Sequence, residues 1–185
     1  MNAVNILLKM LEKAKAMDSV FYEKRLDCAL IAASSLSSTN EENRKFIVES
    51  KLLTLIVESM TSSNVNLRIS ACQCSRNLSR SVKNLRTNLF DAGIAKPLLK
   101  LLHDESISVQ ITACATICNM VLDFTPIKKV IVNEGAVPDL VKLVSHPDSV
   151  LRVNAIWSLK NLLYHSDNET RGKVLSFLNF EIING

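Results

Sequence analysis

Residues 125–165, TPIKKVIVNEGAVPDLVKLVSHPDSVLRVNAIWSLKNLLYH, hold three helical signals separated by two breaks. Thr125 and Pro126 open the first signal, because proline in a first turn gives up an N–H that no helical bond would use. The helix continues through Ile131 and Val132 and stops at Gly135, a residue suited to the left-handed conformation that ends helices. A second helix follows from Ala136, Val137 and Pro138, with Val137, Leu140, Val141 and Val144 recurring at three and four. Ser145 to Ser149, containing Pro147 and Asp148, reads as a turn. From Val150 a third helix buries Leu151, Ala155, Ile156, Leu159, Leu162 and Leu163.

The same order recurs upstream at a fixed step. Asn77, Asn119 and Asn161 are 42 residues apart (119 − 77 and 161 − 119), and the same shift aligns Ala71, Ala113 and Ala155. Leu67, Val109 and Leu151 form another column, as do Val48, Phe90 and Val132, and Gly93 pairs with Gly135. A period in this range marks stacked helical repeats, each unable to bury its apolar face alone. The chain of 185 residues divides into about four and a half of them. The boundaries are a partial repeat at 1–38, repeats at 40–80, 81–123 and 125–165, and a partial repeat at 167–185, all in one array. The partial first repeat is expected to hold helices over 2–17 and 20–36, with Ser35 at the asparagine position. In the 40–80 copy Lys51 stands where the others have glycine. At the C-terminal end, 168–174 restarts the pattern and a second helix is expected from Phe177. The small residue at 71, 113 and 155 lets consecutive third helices approach closely, and a larger side chain there is expected to cost about 1–3 kcal/mol.

Composition fits an all-α class: Gly and Pro number four each, 48% of residues are hydrophobic and only 5% aromatic. The net charge of +4 comes from interleaved acids and bases, which does not call for a nucleic-acid partner. No uninterrupted apolar stretch is long enough to span a bilayer, and residues 1–17 are amphipathic rather than signal-like, so an intracellular protein with no membrane partner is expected. The five cysteines, Cys28, Cys72, Cys74, Cys114 and Cys118, include no CxxC pair. A thiol ligand set would use Cys114 and Cys118 or Cys72 and Cys74. Matching columns hold Ala and Ile, which cannot ligate metal, so small buried apolar residues are the expected role. No metal, cofactor or small-molecule substrate is implied. His103 and His146 fall in turns and His165 near a helix end, none spaced for a catalytic relay, and no phosphate-binding glycine loop occurs. The chain is expected to bind rather than catalyse.

Candidate binding residues follow from helical geometry. Positions seven and four before each asparagine lie on its side of the third helix. They pair Ser70 and Gln73 with Asn77, Thr112 and Ala115 with Asn119, and Asn154 and Trp157 with Asn161. Regularly spaced amides suit the alternating N–H and C=O groups of an extended peptide; equally, each asparagine can bond a neighbouring helix end and brace the stack. Arg76 and Arg80, on an adjacent turn, suit either a carboxylate clamp or a solvated face.

Three helices per repeat, glycine at the first junction and a late asparagine in the third helix resemble armadillo repeats, which implies a right-handed superhelical solenoid. In armadillo import carriers a Trp precedes the late Asn by four residues; here only Trp157 does so, Gln73 and Ala115 filling the other two places. Ile117, Cys118 and Asn119, then Phe124 and Pro126, Gly135 to Val137, and Leu151 to Asn154 with Ile156 and Trp157 are similar to the armadillo subunits of the GID/CTLH ubiquitin ligases. That resemblance implies a non-catalytic scaffold in cytoplasm and nucleus, serving proteasomal degradation. Its protein partners would be ligase core subunits and a substrate-receptor tail lying along Asn77, Asn119 and Asn161, with Trp157 as a shelf. A general armadillo adaptor for short linear motifs, importin-like, is the alternative. Family members are much longer than this chain, so it is expected to be a fragment or a shortened version.

Overall fold

The computed structural model describes residues 3–14, 18–81, 83–122 and 125–178, the side chains of 83, 84 and 125 excepted. Every regular element among them is a helix. The helices fall into two compact units, Met1–Ile94 and Ala95–Gly185.

The first unit contains α1 (Ala3–Ala14), α2 (Ser19–Thr39), α3 (Glu41–Val48), α4 (Leu52–Ser59), α5 (Val65–Ser79) and α6 (Lys83–Asp91). Its main packing is the third helix of one repeat, α2, against the third helix of the next, α5. Leu26, Leu30 and Ala33 on α2 and Leu67, Ala71, Cys74 and Leu78 on α5 are buried. Each buried leucine contributes about 1.5–3 kcal/mol from removal of apolar surface from water.

α2 reaches Thr39, beyond the expected end at Leu36. Its last carbonyls, which have no partner within the helix, are taken up by α3: Asn43 Nδ2 donates to Leu36 O at 3.1 Å and Arg44 Nη1 to Ser37 O at 2.7 Å. Asn40 then caps α3, accepting from the N–H of Glu42 at 2.7 Å. At the next junction Lys51 keeps an ordinary right-handed backbone, φ −59°. Ser50 does the work there, its hydroxyl donating to Ile47 O at 2.8 Å and accepting from Leu52 N–H at 3.2 Å. That explains how this repeat manages without glycine. By contrast Gly93 and Gly135, at φ +79° and +85°, occupy the left-handed region that side chains disfavour.

The second unit contains α7 (Ala95–Leu101), α8 (Ile107–Met120), α9 (Thr125–Asn133), α10 (Ala136–Leu143), α11 (Ser149–Leu163) and α12 (Asn168–Leu175). Here α8 and α11 pack as α2 and α5 do in the first. Ala113 and Ala155 are fully buried, as Ala71 is in the first unit. Helix α11 begins at Ser149, one residue before expectation, because Asp148 caps it by accepting from Leu151 N–H at 2.9 Å. Asp167 caps α12 in the same way, taking the N–H of Thr170 at 2.8 Å. That bond and the ammonium of Lys129, 3.0 Å away, hold its carboxyl down at about 2. The second helix expected from Phe177 does not begin there: Phe177 is in a turn and Leu178 is irregular. Residues 179–185 lie outside the described residues, as do Phe124 of the sequence motif and residues 2 and 15–17 of the first expected helix.

Candidate functional site

Three long polar side chains, at positions 42 apart, position the third helices. Arg68 Nη1 donates to Ser62 O and Ser63 O, both at 3.0 Å. Arg152 Nη1 donates to His146 O and Pro147 O, both at 2.8 Å, and Gln110 Nε2 to Asp104 O at 2.6 Å. Each ties the turn before a third helix to that helix's second turn, which sets where its exposed face points. This column is polar, so hydrophobic periodicity does not reveal it.

In the first unit that exposed face forms a groove of about 500 Å³ between α2 and α5. Ile31, Ser34, Ser35 and Ser38 line it from α2, and Ile69, Ser70, Gln73 and Asn77 from α5. The structure thus brings together three of the expected residues, Ser70, Gln73 and Asn77. Ile31 is 52% and Ile69 37% exposed, one apolar side chain on each wall, while Ser34 and Ser70 lie deeper. The hydroxyls of Ser35 and Ser38 donate to Ile31 O at 3.0 Å and Ser35 O at 2.7 Å. Their oxygen lone pairs remain available to N–H donors. Ser70 is buried, its hydroxyl donating to Asp27 Oδ1. Asn77 is half-buried, and its Nδ2 donates to Ser34 O at 2.9 Å and Ser34 Oγ at 3.0 Å. Arg76 and Arg80 are both exposed on α5 and its C-cap.

The α2 wall carries Ser35 at the asparagine position, and without an amide there the asparagine ladder gives no sign of it. The Ile69, Ile111 and Val153 column, in the same 42-residue step, is the sequence signal for the apolar part of the α5 wall.

In the second unit the expected residues divide by depth. Thr112 is buried and its hydroxyl donates within α8 to Ser108 O at 2.8 Å. Asn119 and Asn154 are half-buried. Asn161 is only 4% exposed; its Nδ2 donates to Cys118 O at 3.1 Å and lies 3.4 Å from Cys118 Sγ. Trp157 stands 49% exposed, with Lys160 Nζ 4.2 Å from its ring centre. Val150, Val153 and Tyr164 extend the exposed apolar stripe along α11. Spacings of three, four and seven put these side chains on the face of Trp157.

Three of the five cysteines take the buried packing role expected, while Cys118 is half-buried and Cys28, on α2, is exposed. Cys72, Cys74 and Cys114 are buried, and burial raises the Cys74 and Cys114 thiols to about 12. Among the described residues no group of three or more His, Cys, Asp or Glu side chains gathers as a metal site. Nor, among them, is any helix long and apolar enough to cross a membrane.

The Armadillo/beta-catenin-like repeat model matches residues 84–122 and 125–164. GID complex subunit 5 of Schizosaccharomyces pombe is 37% identical over 145 residues, covering 78% of this chain and 18% of that protein. Armadillo repeat-containing protein 8 of Danio rerio is 36% identical over 149 residues, 80% of this chain and 22% of that protein. This chain therefore spans about a fifth of the length of these relatives. Among solved structures, a designed armadillo repeat protein, YIII(Dq.V1)4CPAF in complex with the peptide (KR)4, superposes with a TM-score of 0.84. It covers 98% of this chain and 77% of its own, at 23% identity. With the repeat order read above, these matches make the chain an all-α armadillo-repeat protein, similar over most of its length to GID complex subunit 5 and Armadillo repeat-containing protein 8.

Proposed function

We propose that the chain is a single armadillo array acting as a non-catalytic scaffold in a GID-type ubiquitin ligase, linking the catalytic core to a substrate receptor for proteasomal degradation. The observation that carries this reading is identity of 36–37% across about four fifths of the chain to a named GID subunit and to Armadillo repeat-containing protein 8. The receptor contributes an extended tail. In the first unit the tail lies in the α2–α5 groove, its N–H groups on Ser35 and Ser38, its apolar side chains on Ile31 and Ile69, and its carboxylate on Arg76 or Arg80. In the second unit Trp157 and Tyr164 hold apolar side chains beside Asn119 and Asn154. The amide nitrogens of Asn77 and Asn161 brace the stack, so half-buried Asn77 offers the ligand chiefly its carbonyl oxygen, while Asn161, buried, serves the stack. Such a scaffold works in cytoplasm and nucleus.

The test is co-purification of the full chain with GID core subunits and receptor from the same organism. Recovery of both classes is expected; recovery of neither from an extract containing them overturns the reading. Binding of lysine-rich import signals in their place would favour the importin-like adaptor, which the non-aromatic Gln73 and Ala115 argue against.

A further inference from the structure

The turns that precede α8 and α11 meet α10 at a hollow of about 540 Å³, inside the range of roughly 300–1,000 Å³ that ligand sites occupy. It lies at the opposite end of α8 and α11 from Asn119 and Asn161, away from the groove positions described above. Leu102, Leu143 and Pro147 supply its apolar lining, and His103, Lys142 and His146 much of its polar lining.

The first unit has the same hollow with different chemistry. Six of its lining positions return two repeat steps later (103 − 19 and 146 − 62 are both 84): Ser19, Leu26, Leu55, Glu58, Ser59 and Ser62 correspond to His103, Gln110, Asp139, Lys142, Leu143 and His146. That hollow measures about 260 Å³, and the charged residues that line it, Glu23 and Glu58, are acids. Repeat packing therefore makes the hollow, and the side chains placed in it set its charge. Between the two units Glu58 gives way to Lys142, and the hydroxyls of Ser19 and Ser62 give way to imidazoles.

In the second unit the nearby carboxylates are already engaged. Asp139 Oδ2 accepts from His103 Nε2 at 2.8 Å. In the two turns Asp104 Oδ1 holds the N–H of Ser106, and Asp148 Oδ1 that of Leu151, each at 2.9 Å. His146 Nδ1 accepts the N–H of Asp148 at 3.1 Å, so its ring proton sits on Nε2 and is free to be donated. Lys142, exposed on the last turn of α10, enters no ion pair among the described residues. The hollow thus presents an ammonium, an imidazole N–H and the exposed hydroxyl of Ser145 beside apolar surface, which complements an anion attached to an apolar group.

We propose that this hollow takes the carboxylate of an acidic side chain in an extended segment of a partner protein, the neighbouring apolar side chain resting on Leu102, Leu143 and Pro147. The site is independent of the ligase reading and of the third-helix faces.

The experiment is NMR of the full chain with isotope-labelled histidines, titrated with the blocked tripeptides acetyl-Leu-Glu-Leu-amide and acetyl-Leu-Gln-Leu-amide. Of the three histidines, His165 follows α11 and lies outside the hollow. His103 and His146 should shift together with a Kd of about 0.1–1 mM for the glutamate peptide while His165 stays still, and the glutamine peptide should bind about tenfold more weakly. Lys142→Glu places there the acid of its counterpart Glu58 and should remove the preference for glutamate. His146→Ser, read at His103, should weaken the glutamate peptide severalfold; Ser62 Oγ accepts Asn64 N–H at 3.1 Å, the turn bond that His146 makes, so the turn is kept and an unchanged melt confirms it. Equal affinity for the two peptides overturns the proposal, as do variants that bind like the wild type. Unmoved His103 and His146 resonances at about 10 mM glutamate peptide, far above the expected Kd, also overturn it.

Discussion

The exposed third-helix faces of the two units occupy the same repeat positions and carry different chemistry. In the first unit the face is built of serine, glutamine and arginine around two isoleucines: Ser34, Ser35 and Ser38 face Gln73 and Asn77, with Arg76 and Arg80 nearby in sequence. In the second, Val150, Val153, Trp157 and Tyr164 make an apolar and aromatic surface, with Lys160 over the Trp157 ring. The buried columns do not diverge in this way. Ala71, Ala113 and Ala155 are all fully buried, and Asn77 and Asn161 both donate to a carbonyl of the adjoining third helix. Stacking tolerates little change because interiors are close-packed. The groove positions have no neighbour to fit, so they are free to set what is recognised.

The largest effect should come from breaking a shared column. Ala155→Leu forces three extra carbons between α8 and α11 and should lower stability by about 1–3 kcal/mol, read from a denaturant midpoint. Gln73→Leu, in the exposed face of the other unit, should stay within about 0.5 kcal/mol of wild type. Equal losses would end the distinction between stack and groove.

The next effect belongs to the aromatic surface. Trp157→Ala should weaken receptor-tail binding by about 2 kcal/mol, roughly thirtyfold, with an unchanged melt. Calorimetric titration with the tail peptide measures it; unchanged affinity would take the second face out of the binding surface. On the first face, Arg76→Glu and Arg80→Glu should each weaken a tail with a free carboxylate by up to about tenfold and an amidated tail much less. Equal losses on both peptides would mean that the arginines supply only general charge.

The smallest effect is confined to the end of the second unit. Asp167 is held at about 2, below its ordinary value of 3.8, by the Thr170 N–H and by Lys129. Because its value is depressed on folding, the stabilisation it gives is present above the ordinary value and disappears as pH falls toward 2. Amide exchange in α12 should therefore accelerate over that interval, and Asp167→Asn should flatten the pH dependence. An unaltered pH profile in the variant would remove the cap as its cause.

Repeat order, the glycine junctions and the buried alanines were legible because each is local or periodic. Gly93 and Gly135 take the left-handed backbone their position suggested, and helix ends fell within a few residues of expectation. Departures have particular causes. α2 ran on to Thr39 because Asn43 and Arg44 fold back onto its last carbonyls, which no helix propensity encodes. Lys128 lies mid-helix in α9 among polar and apolar neighbours in sequence, yet it is 1% exposed with its ammonium on Tyr164 O. A cation so placed is invisible to hydrophobic periodicity.

By itself the sequence determined the period, the all-α class and the residues of the buried columns. Those depend on spacing along one helix and on the need to remove apolar side chains from water. Tertiary structure alone decided that Ile31 and three serines of α2 form one wall of the groove, and that the amide nitrogens of Asn77 and Asn161 are turned to the stack. It also decided that His103, Lys142 and His146 line one hollow. All three depend on which helix lies beside which, and that is set by packing between residues some 40 positions apart, a distance across which no local pattern carries orientation.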